Sequence, residues 1–353
     1  MRPIVLTFLR EYLQIWNGQN NVDNILGLLS YLPTEPFTDL YSAYLSAVER
    51  VLIARGISSS AKLISLYTSL LQTRISLISY ESSRRRQSIS TSSERQMLRD
   101  LAAHVSTLST SLLLSLPPDS GRAVVSSILS FYELLSASSK PHVIPIILPP
   151  MHLVYHLTQS TSSTVLSRIC GIISNHKAAF DEHPKPVRDY YAADVTETLN
   201  WCLRDIYNLF WVSRGLVTTD QKAAGLYCNP SVRAALNAYL TAIEREYAIG
   251  YAFGLSHNTW LASMSAAAWR TLEEQEIQKE GYDRSSIKWH KGPVTQQSLA
   301  VLRNGGVRVD WDGARGYKAY VLKWLAERGL GGIRDLMFAT VTDLRSAQTA
   351  RPK

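Results

Sequence analysis

The stretch Val5-Leu-Thr-Phe-Leu-Arg-Glu-Tyr-Leu-Gln-Ile-Trp16 decides the fold. Val5, Phe8, Leu9, Tyr12, Leu13 and Trp16 recur at spacings of three and four, which gather on one side of a helix turning every 3.6 residues. Pro3 suits the start, where its missing N–H is not needed, and Gly18 suits the stop. The same period predicts a second helix from about Val22 to Leu32, stopped by Pro33. A third runs from about Thr38 to Gly56, with Leu40, Tyr41, Tyr44, Leu45, Val48, Val51 and Leu52 on one face. Leu63, Ile64, Tyr67, Leu70, Leu71, Ile75 and Ile78 mark a fourth. Ser93-Glu-Arg-Gln96 has capping-box spacing and opens a fifth, which Pro117-Pro118 ends. Further helices are expected near 120–138, 149–159, 162–180, 186–213, 230–250, 257–280, 293–304, 312–328 and 332–347, and only Val307 to Trp311 could alternate as a strand. The expected fold class is all-α: an irregular, HEAT-like helix-hairpin solenoid of a dozen or more helices, without a visible 34- or 40-residue repeat signature.

Composition agrees with a packed chain. Of 353 residues, 46% are hydrophobic and 19% charged, which excludes a disordered tail and allows two or three packed units. Cys170, Cys202 and Cys228 are too few and too widely spaced for a disulfide framework, so a reducing, intracellular compartment is expected. Arg10 and Glu11 interrupt the apolar start before a signal-peptide core forms. The longest uncharged apolar stretch, Val143 to Val154, holds three prolines and is too short to span a bilayer. No membrane contact is expected.

Charge is unevenly distributed. From 101 to 180 the only charged residues are Asp119, Arg122, Glu133, Lys140, Arg168 and Lys177, which reads as interior or interface. From Asp283 onward, 13 basic residues stand against six acidic ones, a net +7 out of +8 for the whole chain. Serine crowds the first half, and seven of eight tryptophans lie beyond residue 200. These shifts suggest N-terminal helical hairpins over 1–80, a flexible Ser/Arg loop over 81–93, a charge-poor helical middle over 94–213 and a basic, Trp-rich region over 214–353.

Catalytic signatures are mostly missing. His152 and His156 lie four apart on an expected helix, but Leu153 stands where a zinc protease needs glutamate, and paired surface histidines are the simpler reading. Glu273, Glu274, Glu276 and Glu280 read as a solvated stripe on an exposed helix face. Gly329-Leu-Gly-Gly332 lacks the third glycine of a dinucleotide fingerprint and reads as a helix cap and turn. Gly254-Leu-Ser-His-Asn258 lacks the final glycine of a nucleophile elbow. The cysteines have no basic partner in sequence and read as buried structural thiols. No catalytic, cofactor or metal residues are assigned; an enzyme is not expected, and no cofactor.

Two features carry binding chemistry. Ser82-Ser-Arg-Arg-Arg-Gln-Ser-Ile-Ser-Thr-Ser-Ser93 places Arg85 and Arg86 where a basophilic kinase would grip them with Ser88 at its phosphate, so a phospho-regulated loop is expected. Toward the other end, Lys288, Lys291, Arg303, Arg308, Arg315, Lys318, Lys323, Arg328 and Arg334 are interleaved with Trp289, Trp311, Tyr317, Tyr320 and Trp324, the first seven being the expected contact residues. Tyr317, Tyr320, Val321, Trp324 and Leu325 recur at helical spacing and are expected to fill a core, leaving the cations to face DNA or an acidic partner.

The same region carries a resemblance. Gly254-Leu-Ser-His257, His290-Lys-Gly-Pro-Val-Thr-Gln-Gln-Ser-Leu299, Gly305-Gly306, Trp311, Tyr320-Val-Leu-Lys-Trp-Leu325 and Gly329 together resemble the carboxyl-terminal half of the fungal centromere protein I family. Phe8-Leu-Arg-Glu-Tyr-Leu-Gln-Ile-Trp16 and Ile25-Leu-Gly-Leu-Leu-Ser-Tyr-Leu-Pro33 look like the start of that half. The resemblance implies a non-enzymatic inner-kinetochore scaffold in the constitutive centromere-associated network, assembled with the coiled-coil centromere proteins H and K. It implies nuclear, centromeric residence, a part in chromosome segregation, and help in depositing the centromeric histone H3 variant. Family members are about twice this length, with an additional helical half at the amino end, so roles of that half fall outside the resemblance. A general helical-repeat adaptor in transport or trafficking is the alternative.

Overall fold

In the computed structural model the described residues are 3–33, 35–85, 92–116, 121–139, 144–160, 162–182, 190–210, 259–290, 306–307, 316–342 and 344, with a few isolated positions between 231 and 242. They are all-helical, as the periodicity predicts. The helices are α1 (Pro3–Ile15), α2 (Val22–Leu29), α3 (Phe37–Leu40), a π-helical turn (Tyr41–Leu45), α4 (Ser46–Ala54), α5 (Ile57–Arg85), α6 (Ser92–Ser115) and α7 (Arg122–Ser139). There follow α8 (Met151–Thr158), α9 (Ser163–Glu182), α10 (Ala193–Phe210), α11 (Thr259–Glu280), α12 (Gly316–Ala326) and α13 (Gly331–Thr340). Strand pairing among the described residues is limited to a bridge residue at Tyr191, beside which Ile146 N–H donates to Tyr190 O at 2.9 Å. The expected 293–304 helix, most of 230–250, and Arg308 to Trp311 of the possible strand lie outside the described residues.

The chain forms two compact units, Met1–Leu153 with Asn175–Thr196, and Val154–Ser174 with Glu197–Lys353. The segments read from composition do not coincide with these units. Helix also enters both ends of the expected 81–93 loop, since α5 continues to Arg85 and α6 begins at Ser92.

In the first unit α5 packs along α7, with α2, α4 and α6 against other parts of α5. Tyr67, Leu70 and Leu71 of α5 and Phe131, Tyr132 and Leu135 of α7 are fully buried, each worth roughly 1.5–3 kcal/mol. Serine is abundant here because it serves helices rather than loops. Ser60, Ser65 and Ser106 donate to the carbonyls of Gly56, Ala61 and Ala102 at 3.1, 3.0 and 2.7 Å, so each hydroxyl finds an acceptor four residues earlier in the chain. Ser65 and Ser127 bring α5 and α7 together with their hydroxyls 3.3 Å apart.

The opening helix buries a narrower arc than its spacing suggests. Leu9, Leu13 and Trp16 face the core, whereas Val5 and Phe8 are exposed and Phe8 stacks on Tyr12 at 5.8 Å. Asn17 then caps the turn by accepting the N–H groups of Gln19 and Asn20 at 2.9 and 3.3 Å. Gly18 takes φ 71°, and a Cβ there would meet the Val51 and Arg55 side chains of the α4 region, so glycine is needed for both conformation and space. Arg74, buried on α5, donates to the carbonyls of Leu32 and Pro33 and ties down the segment that follows α2.

In the second unit α12 packs on both α11 and α13. Gly329, at φ 80°, ends α12 as expected, with Leu330 N–H reaching Leu325 O at 3.0 Å. Gly332 then lets α13 lie directly on α9: its N–H donates to Ser167 Oγ at 3.1 Å, and a Cβ would strike the backbone at Ser167 and Gly171. The expected cap-and-turn role is thus joined by a close helix crossing.

Candidate functional site

The seven cations expected to form an interface are only partly placed. Lys288 is exposed in the segment after α11, and Lys323 is exposed on α12. Lys318 is half-buried, and desolvation pulls its ammonium below the ordinary lysine range. Lys291, Arg303, Arg308 and Arg315 lie outside the described residues, as do Ser88, Cys228 and the Gly254–His257 motif.

The neighbouring aromatics behave as expected in part. Val321 and Leu325 are buried, while Tyr320 and Trp324 are half-buried. Trp324 Nε1–H donates to Thr271 Oγ1 at 3.3 Å, joining α12 to α11. Two arginines lie over indole faces: Arg270, which precedes the basic block, is 3.3 Å from the Trp289 ring centre, and Arg328, a member of that block, is 3.6 Å from that of Trp324. These stacks hold guanidinium groups against rings, a use of charge that interleaving in sequence does not distinguish from an exposed patch.

The acidic group on α11 corrects the solvated-stripe reading. Glu274 and Glu280 are exposed, but Glu273 is buried at 1% exposure. The segment 282–290 folds back over it: His290 N–H donates to Glu273 Oε1 at 3.0 Å, and Trp269 lies beside the His290 ring. Glu273 Oε2 has no hydrogen-bond partner among the described residues, and Arg270 is 3.9 Å away. Local spacing gives no sign of this returning segment.

His152 and His156 are both exposed, and His152 Nε2 pairs with Thr110 Oγ1 of α6 at 2.8 Å. Among the described residues no group of three or more His, Cys, Asp or Glu side chains is arranged to hold a metal ion. Cys170 and Cys202 are buried thiols as expected, each pushed up to about 12 chiefly by desolvation. No helix among the described residues is long and apolar enough to cross a membrane.

The sequence reading missed three polar arrangements. The most connected lies beside the π-helical turn, a deviation that often marks functional positions. Glu49 Oε2 accepts from Tyr67 Oη–H at 2.8 Å and lies 2.8 Å from His104 Nε2, which is 3.1 Å from Tyr67 Oη. The rings of Phe37, Tyr41 and Tyr67 surround His104, with centroids 5.3, 4.7 and 5.4 Å away. Burial alone would raise the Glu49 carboxyl, but hydrogen bonds from His104 and Tyr67 outweigh it and hold the group below the usual range. Desolvation and the neighbouring Glu49 carboxylate raise the Tyr67 phenol well above its ordinary range, so it stays protonated and serves as a fixed donor. The carboxylate, imidazole and phenol join α4, α5 and α6 where the π turn supplies Tyr41. Their separation of 18 and 55 residues hides them from any local motif.

The second arrangement is Tyr155 with Asp205, whose Oδ2 accepts the phenol at 2.5 Å while Oδ1 is buried without a hydrogen-bond partner among the described residues. Desolvation raises the Asp205 carboxyl, opposed by that hydrogen bond and by Arg204. The third is His176, fully buried with neither ring nitrogen hydrogen-bonded to a described residue; desolvation pushes it down to about 3.

No family model matches the chain, and no curated protein matches it.

Proposed function

We propose that this chain is a non-enzymatic scaffold subunit of the inner kinetochore, resident at the nuclear centromere, that binds the coiled-coil centromere proteins H and K and supports centromere assembly and chromosome segregation. The HEAT-like solenoid arrangement belongs to the same proposal. The placement in the kinetochore rests on the sequence resemblance. The scaffold reading is supported by a surface feature: large apolar side chains left exposed at helical spacing. Leu77 and Tyr80, three apart on α5, are 45% and 61% exposed, and Leu28 and Tyr31, three apart at the end of α2, are 44% and 66% exposed. Pairs at this spacing are what the apolar stripe of a partner helix needs as anchors. The exposed Lys288 and Lys323 support a second contact, with DNA or an acidic protein.

The test is co-elution of the purified chain with the H and K pair on a sizing column. A stable complex is expected, weakened at least tenfold by Leu77→Asp with Tyr80→Asp, since both side chains are exposed and the fold should tolerate the change. A chain that ignores the pair would refute the kinetochore assignment. Co-purification with transport proteins, together with cytoplasmic staining, would move it to the adaptor class.

A further inference from the structure

The segment after α11 is held in place by a few identifiable contacts. Gly281 turns the chain at φ 66°, and Asp283 organises the next turn. Its carboxylate accepts Ser285 N–H at 3.0 Å and Ser285 Oγ–H at 2.5 Å, and its carbonyl accepts Ser286 Oγ–H at 2.9 Å. Beyond the turn, Trp289 lies under the Arg270 guanidinium and His290 N–H reaches the buried Glu273 carboxylate. Residues 281–286 and Lys288 are all exposed.

Two features make this clamp easy to release. Glu273 is an ionisable carboxylate at 1% exposure with one oxygen lacking a hydrogen-bond partner among the described residues, so opening the segment would return it to water. The turn itself depends on Ser285 acting as a donor to a carboxylate. Hydrogen bonds from Ser285 hold the Asp283 carboxyl below its usual range, so it is present as the anion.

We propose that Ser285 is a phosphorylation site and that its modification releases the 282–290 segment from α11. Ser285 Oγ attacks the γ-phosphorus of ATP in a protein kinase that accepts basic flanks, here Arg284 and Lys288. The Oγ–P bond forms as the bond to the ADP oxygen breaks, and the hydroxyl proton passes to the kinase's base. The product replaces a donor with a group of charge about −1.5 to −2, placed against the Asp283 carboxylate. The hydrogen bond becomes a repulsion, the turn opens, and Trp289 and His290 lose their places on Arg270 and Glu273. The partner class is thus a basophilic kinase, and the consequence is exposure of an indole beside Lys288. The proposal does not depend on the kinetochore reading.

Phosphopeptide mapping of the full chain purified from its own cells should find phosphate on Ser285. Hydrogen exchange of the full chain should show at least tenfold faster exchange over residues 285–290 in Ser285→Glu than in wild type, with unchanged exchange in α5 and α7. Ser285→Ala should change it much less, because the backbone N–H still reaches Asp283. Asp283→Asn in the Ser285→Glu background should restore part of the protection by removing the repulsion. An unmodified Ser285, or a Ser285→Glu variant that exchanges like wild type, overturns the proposal.

Discussion

His176 on α9 shows what burial does when no described residue hydrogen-bonds the ring. Its imidazole is held neutral because charging it inside the core would cost more than the ordinary proton affinity returns. The folded value, about 3, lies below the ordinary histidine value of 6.5, so the unfolded chain binds the proton first as pH falls. The contribution of His176 to stability is therefore constant above pH 6.5 and declines from there toward about 3, by up to about 1.4 kcal/mol per pH unit. Chemical denaturation between pH 7.5 and 4.5 should show this slope in wild type and a shallower one in His176→Leu. Equal slopes in the two proteins would mean that the ring is protonated in the folded state. Asp205 has the opposite sign: its raised carboxyl favours the folded state as pH falls, and it is unchanged in both proteins, so the comparison isolates His176.

At the scale of elements, the 3.6-residue period locates helices well because burial of one face is what selects them. It locates their ends and companions less well. α10 begins at Ala193, seven residues after its expected start, because Tyr190 and Tyr191 form a turn and a bridge, with Tyr191 edge-on to Phe180 at 4.4 Å. The expected third helix is interrupted by the π turn at Tyr41–Leu45, which periodicity does not reveal because Tyr44 and Leu45 are buried there as the helical spacing predicts. Glu49, Tyr67 and His104 come together only through the packing of three helices, and Glu273 is buried only because a later segment returns to it. Gly332 is a different case. Its neighbourhood looked like a cap, and the α9 backbone that excludes a Cβ lies 165 residues earlier. Gly332→Ala should destabilise the second unit by about 1–3 kcal/mol, because the obstruction is backbone and the helices must separate. Gly331→Ala, where a Cβ meets nothing nearer than 3.8 Å, should change stability by less than about 1 kcal/mol. Thermal melts of the two variants check the pair; alanine has the higher helix propensity, so a Gly332→Ala protein as stable as Gly331→Ala would show that the crossing accommodates a Cβ.

For the whole molecule, the uneven charge read from the sequence raises a quantitative question about the proposed DNA contact. The region from Asp283 holds nearly all of the net +8, yet not every cation there is free to meet a phosphate. Lys318 is already partly desolvated, and Arg328 lies over an indole, so counting basic residues overstates the available surface. Counterion release supplies a ruler, because log Kobs falls with log salt by about 0.9 for each phosphate neutralised on duplex DNA. Engagement by Lys288 and Lys323 alone would give a slope of about −2, and engagement by all seven expected cations about −6. The steeper value is expected if the excess charge acts as one surface, and Lys288→Ala with Lys323→Ala should then reduce it by about 2 without changing the helical content. Fluorescence anisotropy with a labelled duplex at several salt concentrations measures both quantities. A slope that the double variant leaves unchanged would remove these two lysines from the contact. Absence of binding even at low salt would remove DNA as a partner and leave the basic end to an acidic protein, whose association rate would carry the salt dependence instead.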